Sequence, residues 1–103
     1  MTYSIDDIRQ RVLPIVLQDA RDVRKVVLFG SYARGEQTPT SDLDVYVDGQ
    51  LMYRPDDTQG TEEKLAESLS VSVDLLTRSA LATSVIRDKL TRSIERDGVV
   101  LYG

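Results

Sequence analysis

The residues of this sequence whose types and spacing could do chemistry are Asp42, Asp44, Asp74, Gly30, Ser31 and Arg34. Asp42 and Asp44 lie in "DLDVYVD", residues 42–48, which alternates strictly. On a strand the side-chain period is two, so both carboxylates emerge on one face while Leu43, Val45 and Val47 anchor the other. Asp74 lies in "VSVDLLT", residues 71–77, again opposite its apolar neighbours Val73 and Leu75. If these two strands pair, three carboxylates converge on one patch. Clustered carboxylates at neutral pH must take up protons or bind a cation. The chain has no histidine and no cysteine, so the ligands are oxygens and the fitting ion is Mg²⁺, which usually completes its octahedron with substrate phosphates. Gly30 ends the run "VRKVVLFG", and Ser31 opens the next segment. There, backbone amides and a hydroxyl can face a phosphate, and the absent Cβ of Gly30 permits close approach. Arg34, one turn further on, could neutralise a triphosphate or pyrophosphate. A phosphate cradle beside a carboxylate-held metal pair suits in-line displacement at phosphorus.

These groups need elements to position them. Residues 5–20 carry apolar residues at Ile5, Ile8, Val12, Ile15 and Val16, which is helical spacing. Ser4 can cap this helix, and Pro14 should kink or split it. Residues 23–30 read as a buried strand, Ser31–Arg34 as a single helical turn, and residues 42–48 as the next strand. The segment 49–60 reads as a loop. A short helix over 61–69 comes next, with Thr61 as its cap, acidic residues in its first turn, and Leu65 and Leu69 facing inward. After the strand at 71–77, one last helix is expected over 80–97 with Ala82, Ile86, Leu90 and Ile94 as its stripe. Gly98 ends it, and "VVLY" supplies a final short strand. The fold class expected is α/β (α+β): a small mixed sheet flanked by helices, in one domain spanning 1–103.

Composition narrows the function classes. At 103 residues, 41% hydrophobic and 29% charged, the chain reads as globular. Without cysteine or histidine there is no disulfide framework, no thiolate or imidazole zinc site, and no Ser-His or Cys-His pair. A net charge of −4 argues against broad nucleic-acid binding, which needs a basic face. No apolar run approaches the length of a membrane span, and the first residues lack the layout of a signal peptide. A cytoplasmic location is expected.

The spacing Gly-Ser-(x10)-Asp-x-Asp with a third aspartate on a later strand resembles the nucleotidyltransferase superfamily with a polymerase-β-like palm. The closer form, "GSYARGEQTPTSDLDVYV" with "VSVDLLT" and "IERDGVVLYG" after it, looks like the minimal nucleotidyltransferases (MNT domains), from about Ile5 to Tyr102. The resemblance implies that Asp42 and Asp44 are paired ligands of two Mg²⁺ ions. Asp74 would share the catalytic metal and help activate the acceptor hydroxyl. Gly30 and Ser31 would hold the β- and γ-phosphates of ATP, and Arg34 and Gly35 match the family's "ARG". Proteins of this kind are typically antitoxins paired with a HEPN-domain ribonuclease toxin, in toxin–antitoxin systems of a type VII-like kind. Active members transfer AMP from ATP to a tyrosine of that toxin. Two alternatives stay open: a non-catalytic antitoxin that masks the toxin by binding, and a nucleotidyltransferase acting on a small molecule such as an aminoglycoside. At this length there is no room for the nucleic-acid-holding domains of polymerases, so an acceptor site borrowed from a partner protein is expected.

Overall fold

A computed structural model describes residues 3–52 and 58–103. Helix α1 spans Ile5–Asp19 and starts at a full capping box: Ser4 Oγ accepts the Asp7 N–H, and the Asp7 carboxylate accepts the Ser4 N–H. Pro14 does not split it. That residue lies exposed, while Ile8, Val12 and Val16 bury the opposite stripe. Strand β1 is Ala20–Phe29, α2 is the turn Ser31–Arg34, β2 is Leu43–Leu51, and α3 is Gln59–Leu69. Then come β3 (Val73–Thr77), α4 (Arg78–Thr83), α5 (Arg87–Asp97) and β4 (Val99–Tyr102).

The four strands form one sheet in the order β3-β2-β1-β4, with β1 antiparallel to both β2 and β4, and β2 parallel to β3. This is the mixed sheet with flanking helices that the alternating patterns predict. Leu43, Val45 and Val47 of β2, Val26 and Leu28 of β1 and Leu75 of β3 pack against Ile8, Val12 and Val16 of α1 and Leu65 and Leu69 of α3. The other face of the sheet carries Asp44, Tyr46 and Asp48, beside Val27 and Phe29.

Several boundaries differ from the sequence expectation: β3 starts at Val73 and not at residue 71, β2 starts at Leu43 and not at residue 42, and four further differences each have a physical reason. Strand β1 starts earlier than residue 23, because a bulge between Arg21 and Lys25, with Asp22 at φ 54°, lets a polar segment join the ladder. Strand β2 runs on to Leu51, into the segment expected as loop. Its partner is the extended start of β1, with Ala20 opposite Leu51. The rest of that expected loop, residues 53–57, lies outside the described residues. Thr61 is not the cap of α3. The helix begins at Gln59 after Thr58, and Thr61 is buried inside its first turn. The expected long helix over 80–97 is two helices. Ser84 is extended, its hydroxyl accepts the Ile86 N–H at 3.2 Å, and this local bond competes with helix continuation in a run of β-branched residues. The stripe fails with it: Ala82 is exposed and Ile86 half exposed.

The Thr61 hydroxyl instead donates to Asp19 Oδ2 at 2.9 Å, and Lys64 Nζ approaches both Asp19 oxygens at 3.0 Å. Asp19 is buried, so this cluster satisfies a charge at the end of α1 and ties α1 to α3. Thr61→Val should lower stability by about 1.5–3 kcal/mol, the usual worth of a hydrogen bond to a charged group. The check is a shift of the urea midpoint without a change in slope.

Candidate active site

Asp44 is the centre of the site because of register. Across β1 it lies opposite Phe29, and along the parallel pair it lies beside Asp74. Neighbouring strands lie about 4.8 Å apart, so two carboxylates on the same face are forced close. The residue after Phe29 is Gly30, at φ 75° and ψ −156°, a conformation essentially confined to glycine. A Cβ placed on Gly30 would overlap Asp44 Oδ2 and lie 3.1 Å from Asp44 Cγ. The bare Cα is therefore what lets the Asp44 carboxylate lean over the start of α2.

Asp42 precedes β2. The chain is held there by the Leu43 N–H, which donates to the Ser72 carbonyl at 2.8 Å and so registers the start of β2 against the entry to β3. Ser31 begins α2, and its hydroxyl has no hydrogen-bond partner among the described residues. Arg34 ends that turn. Its guanidinium lies 3.2 Å from Glu36 and 3.6 Å from Asp97. Its charge also reaches Asp44.

Electrostatics separate the carboxylates. Burial, then the charges of Asp74 and Asp42, push the Asp44 carboxyl up from 3.8 to about 6, against the opposing pull of Arg34. Asp74 is raised as well, by burial first and then by Glu62 and Asp42. On the same face Tyr46 is raised by burial and by Asp48, and Asp48 is paired with Arg78. Among the described residues no three acidic side chains already surround one point as a metal cage would. The cluster is instead a set of mutually repelling oxygens short of positive charge.

This has a pH consequence. The folded protein holds a proton on Asp44 that the unfolded chain would release, so stability falls as pH rises from about 4 to about 6, and the full penalty of the ionised carboxylate is present above that window. Melting curves of the cation-free protein between pH 4 and 8 should show that part of the decline flattened in Asp44→Asn.

The residue that motif reasoning did not single out is Glu62. It reads as one more acid in the first turn of a helix, favourable to the dipole. In the fold its Oε2 accepts the Leu75 N–H at 2.9 Å, next to Asp74. No local signal in the sequence distinguishes it from Glu63.

The family profile described as "Nucleotidyltransferase domain" matches residues 9–101. The chain belongs to this family, and it is a nucleotidyltransferase. Among relatives, MJ1379 of Methanocaldococcus jannaschii, provisionally named a protein adenylyltransferase, is 37% identical over 84 residues that cover 80% of each chain. The protein adenylyltransferase MntA of Thermococcus cleftensis is 34% identical over 74 residues, covering 72% of this chain and 75% of the other. Solved structures share the fold. A chain of a toxin–antitoxin crystal structure with AMP-PNP superposes with a TM-score of 0.76 at 24% identity, over 92% of this chain and 73% of that one. A chain from the complex of tri-AMPylated Shewanella oneidensis HEPN toxin with MNT antitoxin gives 0.71 at 19% identity, over 97% and 73%. Among the described residues no helix of this nucleotidyltransferase is long and apolar enough to cross a membrane.

Proposed function

We propose that this nucleotidyltransferase transfers AMP from ATP to a tyrosine hydroxyl of a HEPN-domain toxin and acts as its antitoxin. The observation that carries the reading is the placement of Asp44 beside Asp74, with Gly30 bare beneath the Asp44 carboxylate. The names of the relatives, protein adenylyltransferases, supply the nucleotide and the class of acceptor.

The donor set fits Mg²⁺ in kind: Asp42, Asp44 and Asp74 offer hard oxygens, and the raised carboxyl of Asp44 marks a site where added positive charge is favourable. When bound there, the ion would neutralise the triphosphate and the charge that develops at phosphorus. The chain's own residues do the rest. The amides at Gly30–Ser31 and the Ser31 hydroxyl, which has no partner among the described residues, hold the β- and γ-phosphates. Arg34 exchanges Glu36 and Asp97 for phosphate oxygens. The acceptor hydroxyl attacks the α-phosphorus in line, the bond to the β-phosphate oxygen breaks, and pyrophosphate leaves. Asp74, on the strand next to Asp44, takes the proton of the hydroxyl. We further propose that residues 1–103 form a single minimal domain and that the reaction runs in the cytoplasm, where ATP is available.

The test combines the purified chain, Mg²⁺, ATP labelled at the α-phosphate and a HEPN-domain protein as the acceptor. Label on a tyrosine of that protein, with pyrophosphate released, is the expected result. Complex formation with no label would leave only an antitoxin that binds. Label on an aminoglycoside and not on the protein would make it a small-molecule enzyme.

A further inference from the structure

We infer that Glu62 is a positioning residue that aims Asp74, by holding the outer edge of β3 at Leu75. The inference rests on the reading of Asp74 as part of the AMP-transfer site. Strand β3 is five residues long and stands at the edge of the sheet, paired among the described residues with β2 alone. The Asp74 side chain makes no hydrogen bond to any described residue, so the backbone of β3 is what fixes the point at which it leaves the sheet. One residue on, the Leu75 N–H is turned to the outer edge, and there it meets Glu62 Oε2 at 2.9 Å.

The strut has a rigid root. Glu62 Oε1 accepts the Thr58 hydroxyl at 2.8 Å, which fixes the second carboxylate oxygen. Helix α3 is itself anchored by Leu65 and Leu69, both fully buried, and by the bonds of Thr61 and Lys64 to Asp19. A continuous set of fixed contacts thus runs from the core, through one helical turn, to the residue beside Asp74. An edge-strand amide left bare would be free to shift, and a displacement near 1 Å at a reacting group can lower turnover about 100-fold.

Reach and charge can be separated by substitution. Glu62→Gln keeps the length and an oxygen acceptor for Leu75 while removing the charge. Glu62→Asp keeps the charge but is one methylene too short, and Glu62→Ala removes both. With ATP, Mg²⁺ and the acceptor protein, Glu62→Gln is expected within about 3-fold of the wild-type kcat, whereas Glu62→Asp and Glu62→Ala should lose about 10- to 100-fold. KM for ATP should stay within about 2-fold in all three, because the phosphates are held elsewhere. Hydrogen exchange at the Leu75 amide, read without any substrate, should quicken in Glu62→Asp and Glu62→Ala and stay slow in Glu62→Gln. An active Glu62→Asp beside an inactive Glu62→Gln would overturn the strut, as would unchanged Leu75 exchange in Glu62→Ala. If the wild type itself moves no AMP to protein, the proposed function fails, and the exchange result alone still decides whether Glu62 holds β3.

Discussion

Asp44→Asn is expected to abolish AMP transfer, by at least about 10³-fold in kcat, or about 4 kcal/mol of transition-state stabilisation. The same substitution should make the cation-free protein more stable at pH 7. Asp44 is ionised there against burial and against two neighbouring carboxylates, which is why its carboxyl is pushed up to about 6. Asparagine nearly matches its shape and removes the repulsion. Loss of activity together with a higher melting temperature would identify Asp44 as a group held in an unfavourable state for the sake of a cation and a phosphate. Adding Mg²⁺ should raise the melting temperature of the wild type and leave that of Asp44→Asn nearly unchanged. The assignment is wrong if the variant labels its acceptor as well as wild type does, or if it melts lower at pH 7.

Gly30→Ala is expected to have the second large effect, through backbone and site together. At φ 75° and ψ −156° a Cβ is strained by about 1–3 kcal/mol, and here it would also overlap Asp44 Oδ2. Either α2 moves or the carboxylate turns away, so transfer should fall at least about 100-fold. Gly35 is the control, since it also has positive φ, 71°, but a Cβ there meets nothing within 4 Å. Gly35→Ala should lower stability by about 1–2 kcal/mol and keep turnover within about 2-fold. Initial rates and melting curves of the two variants side by side give the comparison, and equal activities would remove Gly30 from the site.

Much of the site was legible because its spacing is short. A strand period of two is enough to place Asp44 on one side and Leu43, Val45 and Val47 on the other, and those three are fully buried, whereas Asp42 falls just before the strand. The same holds for Gly30, which ends an apolar run. Helix boundaries were less legible where two local rules compete. Thr61 reads as a cap residue, but its hydroxyl has a buried carboxylate to satisfy 42 positions away, and the helix starts after Thr58 with no side-chain cap bond. Ser84 could continue a helix or bond the Ile86 amide, and with no buried face to hold α4 and α5 together the local bond wins.

The residue types at 30, 31, 42, 44 and 74, and the lack of histidine and cysteine, determined that any chemistry would run through carboxylate oxygens and phosphate, since those are properties of composition and short-range geometry. Tertiary structure decided which carboxylates meet. The parallel register that sets Asp44 beside Asp74 joins strands separated by a whole helix, and a one-residue slip would turn Asp74 to the opposite face. It also decided that the Asp44 carboxyl is pushed up to about 6, because burial is a property of the packed sheet. And it singled out Glu62, whose bond to Leu75 depends on how α3 docks against β3.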